Sequence, residues 1–315
     1  MSKKYPIVAV TGSSGAGTTT VRHAFHDIFR REGISAAFVE GDAFMRYERE
    51  EMDRVIRQAQ AEGKYLSHFG PETNLFDRLE ALFMEYSEHG TGQVRHYVTE
   101  DNQEEFGLPP GTFTPWRPVP ADTDLLFYEG LHGGVMARTW TRRKMSPSHN
   151  PVVIDRRKAD DGNGVDVAQY VDLLFGVVPV VNLEWIQKIH RDTHVKGFTP
   201  EAVTDTILRR LRDYTHYITP QFSLSDINFQ RVPVVDTSNP FITRDVPTLD
   251  ESAVVIRFRE PEKFNFPNLM RRIEGAYMSR LNNMVIPGGK MPLAMEIICT
   301  PLIHELIEKR RQHGT

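Results

Sequence analysis

Cysteine is nearly absent: among 315 residues only Cys299 carries a thiol. A lone cysteine cannot close an intramolecular disulfide, which excludes a disulfide-stapled secreted scaffold and suits a reducing compartment, the cytoplasm. Long apolar runs are missing as well. "LLFGVVPVV", Leu173 to Val181, is far shorter than the roughly 20 residues of a bilayer span and contains a proline, so it reads as a buried strand. The start, "MSKKYPIVAV", has only a short apolar run leading straight into a glycine loop, with no cleavage site of a signal peptide. Nor is there surplus positive charge. Lys and Arg number 38 against 42 Asp and Glu, a net charge of −4, so no global field captures nucleic acid or an acidic membrane, and any bound anion needs a local site. Internal repeats and low-complexity tracts are absent, and the length suits one large domain or two small ones.

The most informative absence is a single lysine. "VTGSSGAGTTT", Val10 to Thr20, has the shape of a phosphate-cradling loop, but Thr18 stands where G-x-x-x-x-G-K-[ST] has Lys. With 22 glycines in 315 residues, two glycines five apart arise by chance about 1.5 times, so only context gives the match weight. An apolar strand, "PIVAV", precedes Gly12. Ser13, Ser14, Gly15, Ala16 and Gly17 permit tight turning, and Thr18, Thr19 and Thr20 open a helix whose amides and dipole favour a polyphosphate. Thr19 falls where a hydroxyl ligates Mg²⁺. The bland alternative is a glycine-rich turn that merely packs tightly.

Short apolar runs alternate with helical periodicity in the first half, the signature of βαβ units and a largely parallel sheet. Val21, Phe25, Ile28 and Phe29 form the stripe of an amphipathic helix ending near Gly33. "AAFVEGD" predicts a strand ending at Asp42, and "DLLFYEG" a strand with Glu129 at its carboxyl end. Ligands bind at such ends, and an acid there suits a Mg²⁺ site, although a turn-forming acid is the plain alternative. After "LLFGVVPVV", the helix "NLEWIQKIHRD" places Lys188, Arg191 and Asp192 on one face, with Lys196 further along. Two cations beside a carboxylate would stabilise a transferring phosphoryl group while the acid holds Mg²⁺ or orients a hydroxyl. Read blandly, Glu184, Lys188 and Asp192 are a solvated i, i+4 ladder. Downstream, "SAVVIRFR" predicts a strand, "FPNLMRRIEGAYMSR" a helix, "NMVIPGG" a strand and turn, and "PLAMEIICTPLIHELIEKRRQ" a helix interrupted at Pro301. The stretch from Arg138 to Asp166 lacks periodicity and reads mainly as a long exposed loop.

In order, "GSSGAGTTT", "EGDAFMRYER", "LLFYEGLHGG", "GVVPVVNLEWIQKIHRD", "NFQRVPVVDTSNPF" and "VVIRFR" resemble the bacterial phosphoribulokinase family over nearly the whole chain. A lysine-free glycine loop is typical of its members. The resemblance implies an α/β fold of the P-loop nucleoside triphosphate hydrolase type, a mixed sheet flanked by helices, related to uridine kinase. It implies one kinase domain over 1–315, in which the loop insertion around 138–168 is longer than the family leads one to expect. The implied activity is ATP- and Mg²⁺-dependent phosphorylation of the C1 hydroxyl of D-ribulose 5-phosphate, a Calvin cycle step. By the same resemblance Asp42 is the general base, Glu129 the Mg²⁺ acid, Asp192 a second essential carboxylate, and Lys188 and Arg191 the substrate and transition-state cations. Arg49 contacts the sugar phosphate, with Lys196 beside the substrate. The family also implies a homo-oligomer activated by NADH and inhibited by AMP, with effector contacts at Arg31, Arg257 and Arg280. Three departures lie on the sugar side: Met45 and Thr99 replace histidines, and Lys196 replaces an arginine. A kinase of another sugar phosphate or alcohol, and a nucleotide-binding regulator without transfer, are therefore the alternatives. Uridine or pantothenate kinase chemistry fits the loop and Asp42 but not the longer motifs.

Overall fold

The computed structural model describes residues 4–12, 18–64, 66–136, 164–194, 197–242 and 245–313. Strand β1 (Ile7–Gly12) is buried along its length and leads to helix α1 (Thr18–Glu32). Strand β2 (Ala36–Glu40), helices α2 (Arg49–Ala61) and α3 (Phe76–His89), and strand β3 (Leu125–Gly130) follow. Strand β4 (Leu173–Pro179) feeds α4 (Val181–His194) and α5 (Pro200–Asp213). The chain closes with β5 (Ile227–Pro233), β6 (Ser252–Phe258), α6 (Phe266–Arg272), β7 (Tyr277–Arg280), β8 (Asn283–Pro287) and α7 (Met291–His313).

These eight strands form one sheet in the order β2-β3-β1-β4-β5-β6-β8-β7. The first five run parallel, and β6, β8 and β7 add antiparallel pairs. The expected mixed sheet flanked by helices is what forms. The runs of Val, Ile, Leu and Phe that read as strands are covered on both faces, as parallel strands must be. Val8, Val10, Leu125 and Phe127 point to a core shared with α1 and α7. Their neighbours Ile7, Ala9, Leu126 and Tyr128 point to the other face, packed by α3. The α1 stripe holds, with the Phe25 ring 4.8 Å from Phe127 and 5.4 Å from Phe175. Gly33 ends α1 at a φ of 64°, the left-handed cap glycine adopts at least cost.

Three expectations need correction. The strand read to Asp42 stops at Glu40, and Gly41–Phe44 form a 3₁₀ turn carrying Asp42. The helix read to Arg280 stops at Arg272, because Gly275 at a φ of 81° breaks it and Tyr277–Arg280 pair with β8 instead. Helix α7 runs through Pro301 unbroken. Ile298 and Cys299 before the proline and Ile303 and Ile307 after it are all buried, and that packing outweighs a lost backbone bond of about 3 kcal/mol. Of the loop insertion expected around 138–168, residues 137–163 lie outside the described residues; at its end Met136 bridges Asp166, and Val167 and Ala168 are core. Asp166 caps their 3₁₀ turn by accepting from the Gln169 amide.

Candidate active site

The site stands at the carboxyl end of the parallel strands, around the gap between β1 and α1. Gly12 lies against β4 so closely that a Cβ would sit 2.5 Å from the Val177 carbonyl oxygen, so glycine is required where the loop leaves the sheet. Ser13 to Gly17, the side chains of Thr18, Thr19 and Thr20, and Lys196 lie outside the described residues. The first turn of α1 contains no acid, so its amide end keeps its affinity for anions. One turn on, Arg22 pairs with Glu40 at 2.5 Å, tying α1 to the end of β2.

Asp42 and Glu129 come from neighbouring crossovers, with Glu40 in register with Glu129. Burial raises the Glu129 carboxyl to about 7, helped next by the charges of Asp42 and Glu40 and opposed by Arg22. Asp42 keeps an exposed surface, yet desolvation by the surrounding protein, then Glu40, holds its carboxyl above the ordinary aspartate value. The open surface tempers that rise.

The spacing of the acids is set by two glycines. A Cβ on Gly41 would lie 2.6 Å from the Tyr128 hydroxyl oxygen and 2.9 Å from the Gly130 Cα. Tyr128 is fully buried and cannot swing aside. Gly41→Ala is therefore expected to cost about 1–3 kcal/mol in a urea melt and to lower turnover, because the displaced residue precedes Asp42. Native-like stability would show that the turn yields.

Among the described residues no three acids, histidines or cysteines close into a metal cage. Mg²⁺ does not demand one: it takes one or two carboxylates, waters and the substrate's phosphates. The carboxyl groups of Asp42 and Glu129, beside Glu40 held by Arg22, fit such a cation. In the metal-free protein Glu129 holds its proton to about pH 7 when folded against an ordinary value of 4.5, so folding stability falls as pH rises between those values. Glu129→Gln should remove that fall and raise the melting temperature at pH 8 by about 2 °C. An unchanged pH slope in the variant would assign the titration elsewhere.

On the other side of β1, α4 begins directly after β4. Lys188 Nζ lies 2.5 Å from Asp192 Oδ2 and Arg191 Nε 3.1 Å from Asp192 Oδ1. Asp192 is 6% exposed, so the trio is not a solvated ladder. Glu184 is drawn off by the Tyr214 hydroxyl, which donates to it at 2.8 Å. Desolvation is the largest influence on Lys188 and lowers its pKa, with Asp192 opposing. The geometry thus groups the three residues singled out from spacing.

Other expected residues are scattered. Arg49 opens α2 and pairs with Glu100 at 2.7 Å. Arg31 pairs with Glu296 of α7 at 3.0 Å. Arg257 donates to the Phe222 carbonyl at 2.6 Å, and Arg257 and Arg280 both stand in register with Asn283. His132, from "LHGG", is 4% exposed with its pKa pushed down to about 4 by burial, which removes a rival base. The sequence reading missed Glu40 and Arg22, whose signals were the last residue of a strand and an arginine one turn past Thr18.

A glycine loop opening a helix, strand-end carboxylates and a buried cation pair on the helix after β4 define a phosphotransferase of the P-loop kinase class. The profile of the Phosphoribulokinase / Uridine kinase family matches residues 7–238. Phosphoribulokinase of Nitrobacter vulgaris is 54% identical over 314 residues, 99% of this chain and 100% of that protein. Phosphoribulokinase of Sinorhizobium medicae (strain WSM419) is 53% identical over 99% of both chains. The solved phosphoribulokinase from Rhodobacter spheroides superposes with a TM-score of 0.83 at 50% identity, covering 98% of this chain and 100% of that one. The chain belongs to the phosphoribulokinase / uridine kinase family. Among the described residues no helix is long and apolar enough to cross a membrane.

Proposed function

We propose that this protein transfers the γ-phosphoryl group of ATP to the C1 hydroxyl of D-ribulose 5-phosphate, giving ribulose 1,5-bisphosphate. The observation that carries the chemistry is the pairing of Asp42 and Glu129 at adjacent strand ends, both with raised carboxyl pKa values, beside the loop-to-helix end. The near-full-length similarity to phosphoribulokinases supports the acceptor.

In this reading the amides of Gly12 to Gly17 and Thr18 to Thr20 cradle the phosphates. Glu129 and the Thr19 hydroxyl, with Asp192, hold Mg²⁺, which when bound neutralises charge on the β and γ phosphates. Asp42 accepts the C1 hydroxyl proton as the hydroxyl oxygen bonds the γ-phosphorus and the bond to the ADP oxygen breaks. Lys188 and Arg191 replace the missing loop lysine by spreading the charge of the transferring group. Arg49, positioned by Glu100, and Lys196 take the sugar phosphate. The reading extends to one domain over 1–315, a cytoplasmic homo-oligomer, and NADH and AMP acting through Arg31, Arg257 and Arg280.

Met45, Thr99 and Lys196 favour a second reading, a kinase of another sugar phosphate. Met45 offers no strong hydrogen bond, and lysine lacks the bidentate fork that suits phosphate. The test is ADP release from Mg-ATP with ribulose 5-phosphate beside a panel of pentose and hexose phosphates, with and without NADH. Highest kcat/KM for ribulose 5-phosphate supports the first reading; a better acceptor replaces it with the second, and no acceptor at all leaves a nucleotide-binding regulator.

A further inference from the structure

Resting on the assignment of Asp42 as base, we infer that Arg95 is a positioning residue that fixes the Asp42 turn and couples it to the ribbon at 93–118. Gln93–Val94 pair antiparallel with Arg117–Pro118, and Arg95 leaves that ribbon toward the turn. Its Nε donates to the Ala43 carbonyl at 2.8 Å and its Nη2 to the Met45 carbonyl at 2.6 Å. The guanidinium therefore grips the backbone on both sides of Phe44.

The same guanidinium is stacked on the returning limb of the ribbon, 3.5 Å from the Phe113 ring centre and 4.8 Å from that of Trp116. Trp116 in turn meets Phe44 edge-on at 5.8 Å. Arg95, Trp116 and Phe44 thus close a loop of contacts: backbone carbonyls are held by the cation, and the ring between them is held by the cation's own stacking partner. The Phe44 carbonyl is taken separately by the Leu75 amide at 2.7 Å, and the Met45 amide donates to the Asp42 carbonyl at 3.2 Å.

Only a planar donor set satisfies this arrangement. Lysine could reach one carbonyl but not span two while lying flat on a ring. Among the described residues the contacts of Arg95 go to the Asp42 turn and the ribbon, not to β1 or α1. Loss of the clamp should therefore misplace the base while leaving nucleotide binding intact, and a shift of about 1 Å in a reacting group costs up to about 100-fold in rate.

The experiment is a double-mutant cycle on the full chain with Arg95→Lys and Asp42→Asn, reading kcat, the KM for ATP and thermal unfolding. Arg95→Lys alone should lower kcat by about 10- to 100-fold with the KM for ATP within about twofold. In the Asp42→Asn background it should change kcat by less than about twofold, because the group it positions is already gone. Arg95→Gln, which keeps a planar amide donor, runs in parallel and is read by the same cycle if the lysine variant does not fold. Multiplying losses, or undiminished kcat in a folded Arg95 variant while Asp42→Asn is crippled, would overturn the clamp alone. Undiminished kcat in Asp42→Asn itself would overturn the base assignment on which it rests.

Discussion

Asp42→Asn is expected to lower kcat by about 10² to 10⁴-fold while leaving ATP binding close to native. The substitution keeps size and a polar tip, so the Gly41–Phe44 turn has no steric reason to move. What it removes is the capacity to take a proton. Among the described neighbours Glu40 is tied to Arg22, His132 is buried with its pKa pushed down to about 4, and Glu129 keeps its own proton to about pH 7 in the metal-free protein. In the proposed function the nucleotide is held by the β1–α1 connection, a different crossover, so its KM should hold. The native enzyme should also lose kcat as pH falls through the raised Asp42 value, since a protonated base cannot accept, and this acid limb should vanish in the variant. Steady-state rates from pH 5 to 9 with an independent nucleotide titration provide the check. An unaltered kcat in pure variant protein would remove Asp42 from the mechanism.

Sequence patterns revealed what is local. Four of the five parallel strands announced themselves as apolar runs, because burial on both faces leaves little room for polar alternation; β5, with Asn228, Gln230 and Arg231 in its seven residues, did not. Asp42 and Glu129 were visible as acids at strand ends, and Lys188, Arg191 and Asp192 as neighbours at helical spacing. Whether that last trio is surface or site was not visible, because the enclosure of Asp192 depends on what packs over α4. Contacts distant in sequence were hidden altogether. Arg95 reaches back 52 residues to Ala43, and Gly41 meets Gly130 across a whole crossover. The helix misread past Arg272 shows the same limit: "AYMSR" has helical formers, but a positive-φ glycine and a waiting strand edge decide its fate. Pro301 shows the converse, a local breaker overruled by burial on both sides.

The Gly41–Gly130 contact and the Arg95 clamp have a common logic. Two carboxylates that repel each other must be held near one another in the absence of a cation, and the fold does so with backbone contacts that leave no slack. The Met45 main chain belongs to the same clamp, through its carbonyl to Arg95 and its amide to Asp42. Under the proposed function, replacing the side chain at position 45 alters the acceptor side of the site while the main-chain contacts that hold the Asp42 turn stay. That separation lets the chemistry persist while acceptor contacts vary.

The second large effect is expected at Asp192. In the native protein its carboxylate is shared by Lys188 and Arg191, and it partly offsets the desolvation that lowers the Lys188 pKa. Asp192→Asn keeps the shape but removes the negative charge that Lys188 and Arg191 share at this position. Breaking one side of an enclosed ion pair costs about 3–5 kcal/mol when fully buried, and the partial enclosure of Lys188 and Arg191 places the expected loss below that range. The Lys188 pKa should then fall further, because desolvation, then Arg210 and Arg191, act to lower it, and Asp192 is the group that opposes them. A lysine that loses its proton nearer neutrality no longer stabilises the transferring phosphoryl group. The alkaline limb of kcat should therefore move to lower pH in the variant, with kcat at pH 8 reduced by about 10²–10³-fold and a smaller deficit at pH 6.5. This pH signature separates loss of charge tuning from plain misfolding, which would depress kcat at both values alike. A uniform deficit accompanied by a lowered melting temperature would make Asp192 a structural counter-ion and move the burden of charge stabilisation to Arg191, which carries its charge at every pH in the test.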